Sequence, residues 1–254
     1  MKKVFLLAMA LCLASTCAMA QKKNVKKANP VVKTITMQSD AKAQTQTQTQ
    51  EVNAQPQPQE VNEEKVINLP EAEMGLDASL RECFKQRRTI RDFVEEDLPE
   101  ELLSSLLWSA YGINRPDEGK RVVPSAVNMQ EFNIYLFTRE RVYRYEAEKN
   151  ILIPVLEGDH RGEISEQSHF ATAPVSILIV ADYNRMEFFK KDTETRDFYA
   201  AVDCGYVSQN IYLFCAANDL GTVACGGINR DRLHKMLDIV NGKALLAHPV
   251  GIHR

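Results

Sequence analysis

The run Val-Ser-Ile-Leu-Ile-Val-Ala-Asp at residues 175–182 constrains the fold of this chain more than any other stretch. It is apolar without the alternation of a half-exposed strand, so it predicts a strand covered on both faces. A sheet containing it needs helices to do the covering. The clearest stands at 198–219, apolar over most of its circumference and interrupted only at Asp203, Ser208, Gln209 and Asn210. Such a helix is central, or lies against a second subunit.

The other elements follow from local signals. Residues 77–86 read as a helix that Asp77 can cap, with Leu80 and Phe84 on one face. A second begins near Pro99, carries Glu100 and Glu101 at its positive end and stops at Gly112. Its apolar stripe is Leu102, Leu103, Leu106, Leu107 and Ala110. Residues 131–138 alternate as a strand, 141–155 read as a hairpin turning near Glu148 to Asn150, and 183–200 as an exposed helix. A short strand broken by Gly226-Gly227, an amphipathic helix opened by Asn229 and a last strand at 243–252 complete the chain. Helices and strands intersperse without a steady βαβ beat, so the class is α+β, a layered sheet flanked by helices.

That domain occupies residues 69–254. Before it, residues 1–20 combine Lys2 and Lys3, an apolar run too short for a permanent span and Ala18-Met19-Ala20. This is the pattern of a cleaved secretory leader, and it predicts a periplasmic or secreted protein. Thr16 before Cys17 fits lipid attachment poorly. Residues 21–68, rich in Gln, Thr and Pro, lack the large apolar side chains that would offset ordering entropy, so they read as a disordered linker. The formal charge is −3, and about −5 once the two leader lysines are removed. An acidic domain with one short arginine cluster is a poor nucleic-acid binder. Cys83, Cys204, Cys215 and Cys225 remain after the leader; without CxxC or Cys/His spacing they read as buried thiols, and no metal site is expected.

Three stretches carry chemistry. Lys85, Arg87, Arg88 and Arg91 crowd around Thr89, and guanidinium donors match phosphate oxygens two at a time. Arg87 and Arg91 converge on one ion if the turn stays helical; the bland alternative is a solvated patch neutralised by Asp92, Glu95 and Glu96. Pro124, Ser125, Asn128 and Gln130 precede a strand, and a planar amide offers donor and acceptor to a heterocycle edge, or simply caps the strand. Gly226 and Gly227 at a strand end let main chain approach a ligand, or make an ordinary turn. Cys225 beside them reads as a packed thiol. Phe188, Phe189 and Phe198 are candidates for stacking on a substrate.

In this order, together with residues 102–116, 142–148 and 200–222, these segments resemble the FMN-dependent nitroreductase family, nearest the branch of SagB-type peptide dehydrogenases. The resemblance covers about residues 80–252. It implies that Arg87, Arg88, Thr89 and Arg91 grip the FMN phosphate and nearby ring oxygens. Pro124, Ser125, Asn128 and Gln130 would flank the isoalloxazine, and Gly226 and Gly227 would bring an N–H toward flavin N5. It implies an entwined homodimer with paired central helices and a flavin touched by both chains. Family members often end in a basic tail; here only Arg254 could play that part. The expected activity is two-step electron or hydride transfer through bound FMN, on a small-molecule or peptide substrate, with no protein nucleophile. Export from the nicotinamide-rich cytosol implies a donor other than NAD(P)H. The alternative is an exported binding protein on a flavin-free scaffold of the same kind.

Overall fold

The computed structural model describes residues 65–73 and 78–254. The expected leader, most of the expected linker and Asp77 lie outside the described residues. In chain order the elements are β1 (Ile67–Asn68), α1 (Leu80–Gln86), α2 (Glu100–Tyr111), β2 (Ile113–Arg115), β3 (Lys120–Arg121), β4 (Phe132–Phe137) and β5 (Arg141–Glu146). They continue as β6 (Ile151–Glu157), α3 (His169–Thr172), β7 (Val175–Asp182), α4 (Thr193–Ala217), β8 (Leu220–Thr222), α5 (Arg230–Met236) and β9 (Gly242–Ile252).

Seven strands form one sheet in the order β1-β6-β5-β4-β7-β9-β8, each adjacent pair antiparallel. As its unbroken apolar run requires, β7 lies inside the sheet and is buried along nearly its whole length. Its odd positions Val175, Ile177, Ile179 and Ala181 face one core with Phe132, Ile134 and Leu136 of β4, α2 and α4. Its even positions Leu178 and Val180 face a second core with Tyr135, Phe137, Phe170 and Leu233. The period-two pleat thus splits one strand's side chains between two layers. Burying each large apolar side chain contributes about 1.5–3 kcal/mol.

Side-chain caps set the starts of α1, α4 and α5. The Ser79 hydroxyl accepts from Glu82 N at 3.3 Å and opens α1. Asn229 Oδ1 accepts from Arg232 N and opens α5. Asp192 Oδ1 accepts from Thr195 N at 3.0 Å, so α4 begins five residues before the expected 198. Residues 183–189 are two short 3-10 turns rather than the expected continuous helix.

Two differences concern pairing. Ile67 and Asn68, grouped with the linker by their polar neighbourhood, add a strand to the sheet edge against Leu152 and Ile151. Residues 113–121 form a β2–β3 ribbon closed at Gly119, whose φ of 60° suits glycine. Buried Arg121 holds that ribbon. It donates to Tyr111 O (3.0 Å), Gln130 Oε1 (2.8 Å) and Glu148 (2.6 Å), with its guanidinium 4.3 Å from the Tyr111 ring centre.

Candidate functional site

α1 stops at Arg87, where ψ is 117°, so Arg87 and Arg91 do not share a helical face. The segment beyond runs extended along the sheet end. Ile90 N donates to Thr222 O at 2.9 Å, Phe93 bridges to His253, and Val94 N donates to Ile252 O at 2.8 Å. Gly221 permits this approach, because a Cβ there would stand 2.8 Å from the Ile90 side chain.

Tyr212, on α4, anchors the cluster. Its hydroxyl accepts from Ala224 N at 2.9 Å and lies 3.1 Å from Thr89 Oγ1, while Arg87 sits 5.2 Å from its ring centre. The phenol oxygen keeps a second lone pair beside the one that takes the Ala224 N–H, so either hydroxyl of the Tyr212–Thr89 pair can be the donor. Behind Tyr212, buried His248 joins Ser208 Oγ (2.8 Å) and Thr222 Oγ1 (3.2 Å). Burial pushes His248 down to about 3, so it is neutral and adds no charge to the site.

Arg88, Thr89 and Arg91 are exposed and Arg87 half-buried. Among the described residues none of the three arginines forms an ion pair. The neighbouring carboxylates are engaged elsewhere or unpaired: Asp92, one of those expected to neutralise the cluster, is 3.6 Å from Arg254, and Asp97 is 3.8 Å from Arg139. The pairing with Asp92 also brings Arg254 to the same end of the sheet.

Arg91 lies close enough to Cys225 and His169 to favour the thiolate and disfavour the imidazolium. Burial outweighs it at Cys225 and raises the thiol, and both burial and Arg91 lower His169. These two side chains are 3.5 Å apart, sulfur to Nε2. Gly226 and Gly227 follow directly. Their carbonyls accept from Arg230 (3.0 Å) and Ser165 Oγ (2.7 Å). Both glycines are exposed with ordinary φ, and an added Cβ would meet only van der Waals contacts at 3.6 and 3.5 Å. The fold therefore does not demand glycine at either position; what glycine supplies is a bare outward-facing main chain.

The second amide-bearing stretch sits elsewhere. Pro124 and Asn128 are exposed, and Val127, Asn128 and Gln130 have φ of 52°, 56° and 49°. A β-branched residue at positive φ is a true outlier. Gln130 faces inward: its amide accepts from Arg121 and donates to Gly119 O (2.8 Å) and Asn128 Oδ1 (3.3 Å), and its N–H reaches Ser125 Oγ (2.9 Å). Ala126 N donates to Asp203 Oδ2 at 2.7 Å. Asp203 is nine residues before Tyr212 on α4, about 13 Å of helix axis. Within one chain the structure joins the arginines to the glycine pair, and holds the 125–128 loop at a separate anchor.

Phe189 stacks on Tyr199 at 5.0 Å, whereas Phe188 and Phe198 are exposed. Tyr212, His169, Ser165, Gln167 and Arg230 escaped sequence reading. Tyr212 looks like one more apolar position of a long helix, and the other four carry no spacing signal.

The family model described as the nitroreductase family matches residues 84–252. A protein of Methanocaldococcus jannaschii bearing the nitroreductase name is 30% identical over 195 residues, covering 73% of this chain and 95% of its own. A crystal structure of a nitroreductase-type protein from Ralstonia eutropha JMP134 superposes with a TM-score of 0.71 at 29% identity, covering 76% of this chain and 91% of that one. The NADPH:FMN oxidoreductase of Vibrio harveyi, solved with NAD+, shares the fold at a TM-score of 0.51 and 19% identity, over 68% of each chain.

Proposed function

This chain belongs to the nitroreductase family of oxidoreductases, and we propose that it works through FMN, whose phosphate Arg87, Arg88, Thr89 and Arg91 hold. The observation that carries this reading is the set of guanidiniums without carboxylate partners among the described residues, next to a glycine pair that the fold does not require. The donor set suits a dianionic phosphate: planar forks from arginine and the exposed hydroxyl of Thr89.

FMN would supply reversible two-electron chemistry, and the protein's task is to bind, orient and tune it. Gly226 and Gly227 would present main-chain N–H groups to ring acceptors. The neutral Cys225–His169 pair behind them would place no charge against the ring. Asn128 and Ser125 would reach the flavin of a second copy, since their anchor on α4 is well separated from Tyr212. Exposed Leu80 and Phe84 on α1, and Phe198, Val202 and Tyr206 along α4, supply the apolar surface that a homodimer would cover. Gln130 would then act by supporting the loop, as its amide is fully engaged within the chain.

On this reading the leader directs the protein out of the cytosol, the linker that precedes β1 tethers the domain, and the electron donor is not NAD(P)H. Kinship with the SagB-type dehydrogenases, resting on the sequence segments, adds peptides to the substrates worth assaying. The absorbance spectrum of freshly purified protein is the first test. Flavin bands with stoichiometric FMN are expected; a dimer that neither carries nor takes up FMN would leave only the flavin-free binding scaffold. Turnover with NADH and NADPH, compared with reduced quinones, tests the donor.

A further inference from the structure

Glu131 is wholly buried, and no donor from another residue reaches either of its carboxylate oxygens. Facing it is the carboxyl of Asp203, itself buried, on α4. Two ionised carboxylates only accept, so their contact is attractive only when one carries a proton. Asp203 Oδ2 already takes the Ala126 N–H at 2.7 Å, a bond that favours charge on Asp203. The proton therefore resides on Glu131.

The surroundings do not offer another solution. Arg185, from the turn after β7, is the cation acting on Glu131. Its guanidinium nitrogens donate to the Gln130 and Phe132 carbonyls (3.3 and 3.1 Å) and Asn133 Oδ1 (2.8 Å), and approach Asp182 at 3.5 Å. From α2 the facing titratable group is Tyr111, whose hydroxyl accepts from Phe132 N at 3.1 Å; from α4 it is Cys204. Burial raises both, so each is neutral.

We infer that Glu131 and Asp203 form a carboxyl–carboxylate pair sharing one proton, and that this pair positions the 125–130 loop by holding Ala126. The loop needs such a hold, because it keeps Val127, Asn128 and Gln130 at positive φ and opens directly after Ser125. Glu131 follows Gln130 in the chain, so both ends of the loop are tied to the same buried pair. That the loop serves the flavin rests on the function proposed above.

The device is sensitive to alkali. Burial, and then the Asp203 charge, push Glu131 up to about 8. With a folded value above the unfolded one, the stabilisation is complete below the ordinary glutamate range and is lost as pH rises toward 8. Once the proton leaves, two like charges in a dry site repel, and the Ala126 tether loosens.

The test compares full-length wild type with Glu131→Gln, whose amide donates to Asp203 at every pH. Thermal midpoints and flavin release on dilution are followed from pH 6.5 to 9.5. Wild type is expected to lose midpoint from pH 6.5 to about 8, with little further loss above it, and to weaken its hold on FMN as the proton leaves, by up to about tenfold per pH unit, the limit for one proton. Glu131→Gln is expected to be flat in both. Parallel pH curves for the two proteins would overturn the shared proton, and diverging midpoints with identical flavin release would overturn the role in holding the loop. Absence of flavin at every pH would sink the FMN reading instead, while the midpoints still decide whether the proton is shared. Should Glu131→Gln not fold, Asp203→Asn removes the charge facing Glu131 and offers it a donor, so the alkaline loss of midpoint is expected to shrink; an undiminished loss would overturn the shared proton.

Discussion

The Tyr212 hydroxyl stands 3.1 Å from Thr89 Oγ1 while accepting the Ala224 N–H at 2.9 Å. One phenol thereby ties the arginine-bearing segment, the central helix and the glycine-bearing strand end into a single unit, and it holds the Thr89 hydroxyl in place.

Tyr212→Phe retains the ring beneath Arg87 and removes both hydrogen bonds. The half-buried Ala224 N–H loses its partner, at a cost of about 1–2 kcal/mol in stability. Thr89 loses its fixed orientation, so affinity for FMN falls by about tenfold, the equivalent of one hydrogen bond. Calorimetric titration with FMN and the unfolding midpoint check the two halves separately. Unchanged FMN affinity would mean that Thr89 is not oriented by Tyr212.

Arg88→Ala combined with Arg91→Ala is expected to yield a folded, colourless protein. Both side chains are exposed and free of ion pairs among the described residues, so truncation leaves the unfolding midpoint nearly unchanged. Each charge-assisted contact to phosphate is worth about 1.5–3 kcal/mol. Their joint loss therefore lowers affinity by roughly two to four orders of magnitude. A double variant as yellow as wild type would refute the phosphate assignment.

Gly227→Ala separates ligand approach from folding. With an ordinary φ and a contact no closer than 3.5 Å, the methyl fits the folded chain. Restricting the unfolded chain then stabilises the protein slightly, by about 0.4–1 kcal/mol at most. Flavin affinity is expected to drop, because the methyl occupies the bare main-chain face. Loss of stability without loss of flavin would make Gly227 a packing residue.

His248 and Glu131 predict opposite pH slopes. The folded value of His248, about 3, lies below the unfolded one. Its contribution is therefore present above the ordinary histidine range and is lost as pH falls toward 3. Glu131 loses its contribution as pH rises. Wild-type stability is expected to decline on both sides of a maximum at mildly acidic to neutral pH. In His248→Gln the decline between pH 6 and 4 is expected to be shallower than in wild type when unfolding midpoints are compared. Equal slopes would mean that His248 is not held neutral.

Much of the layered core was legible from local pattern alone. The unbroken apolar run of β7 demanded cover on both faces, and the sheet places it inside with a separate core on each side. The β2–β3 ribbon was harder to read, because it is built on a buried arginine whose partners lie elsewhere in the chain.

By itself, the sequence determined the types of the main strands and helices, the helix stops at Gly112 and beyond Gln86, the residue types able to bind an anion, and the family to which they belong. These are short-range properties, set by side-chain period, caps and motif order. Only the tertiary structure decided which of those residues meet. It withdrew Asp92 toward Arg254, set Tyr212 beneath Arg87 and beside Thr89, turned Gln130 inward and buried Glu131 against Asp203. Each of these outcomes depends on a partner distant in sequence, or on the loss of water around a charged group, and neither is written in the local pattern.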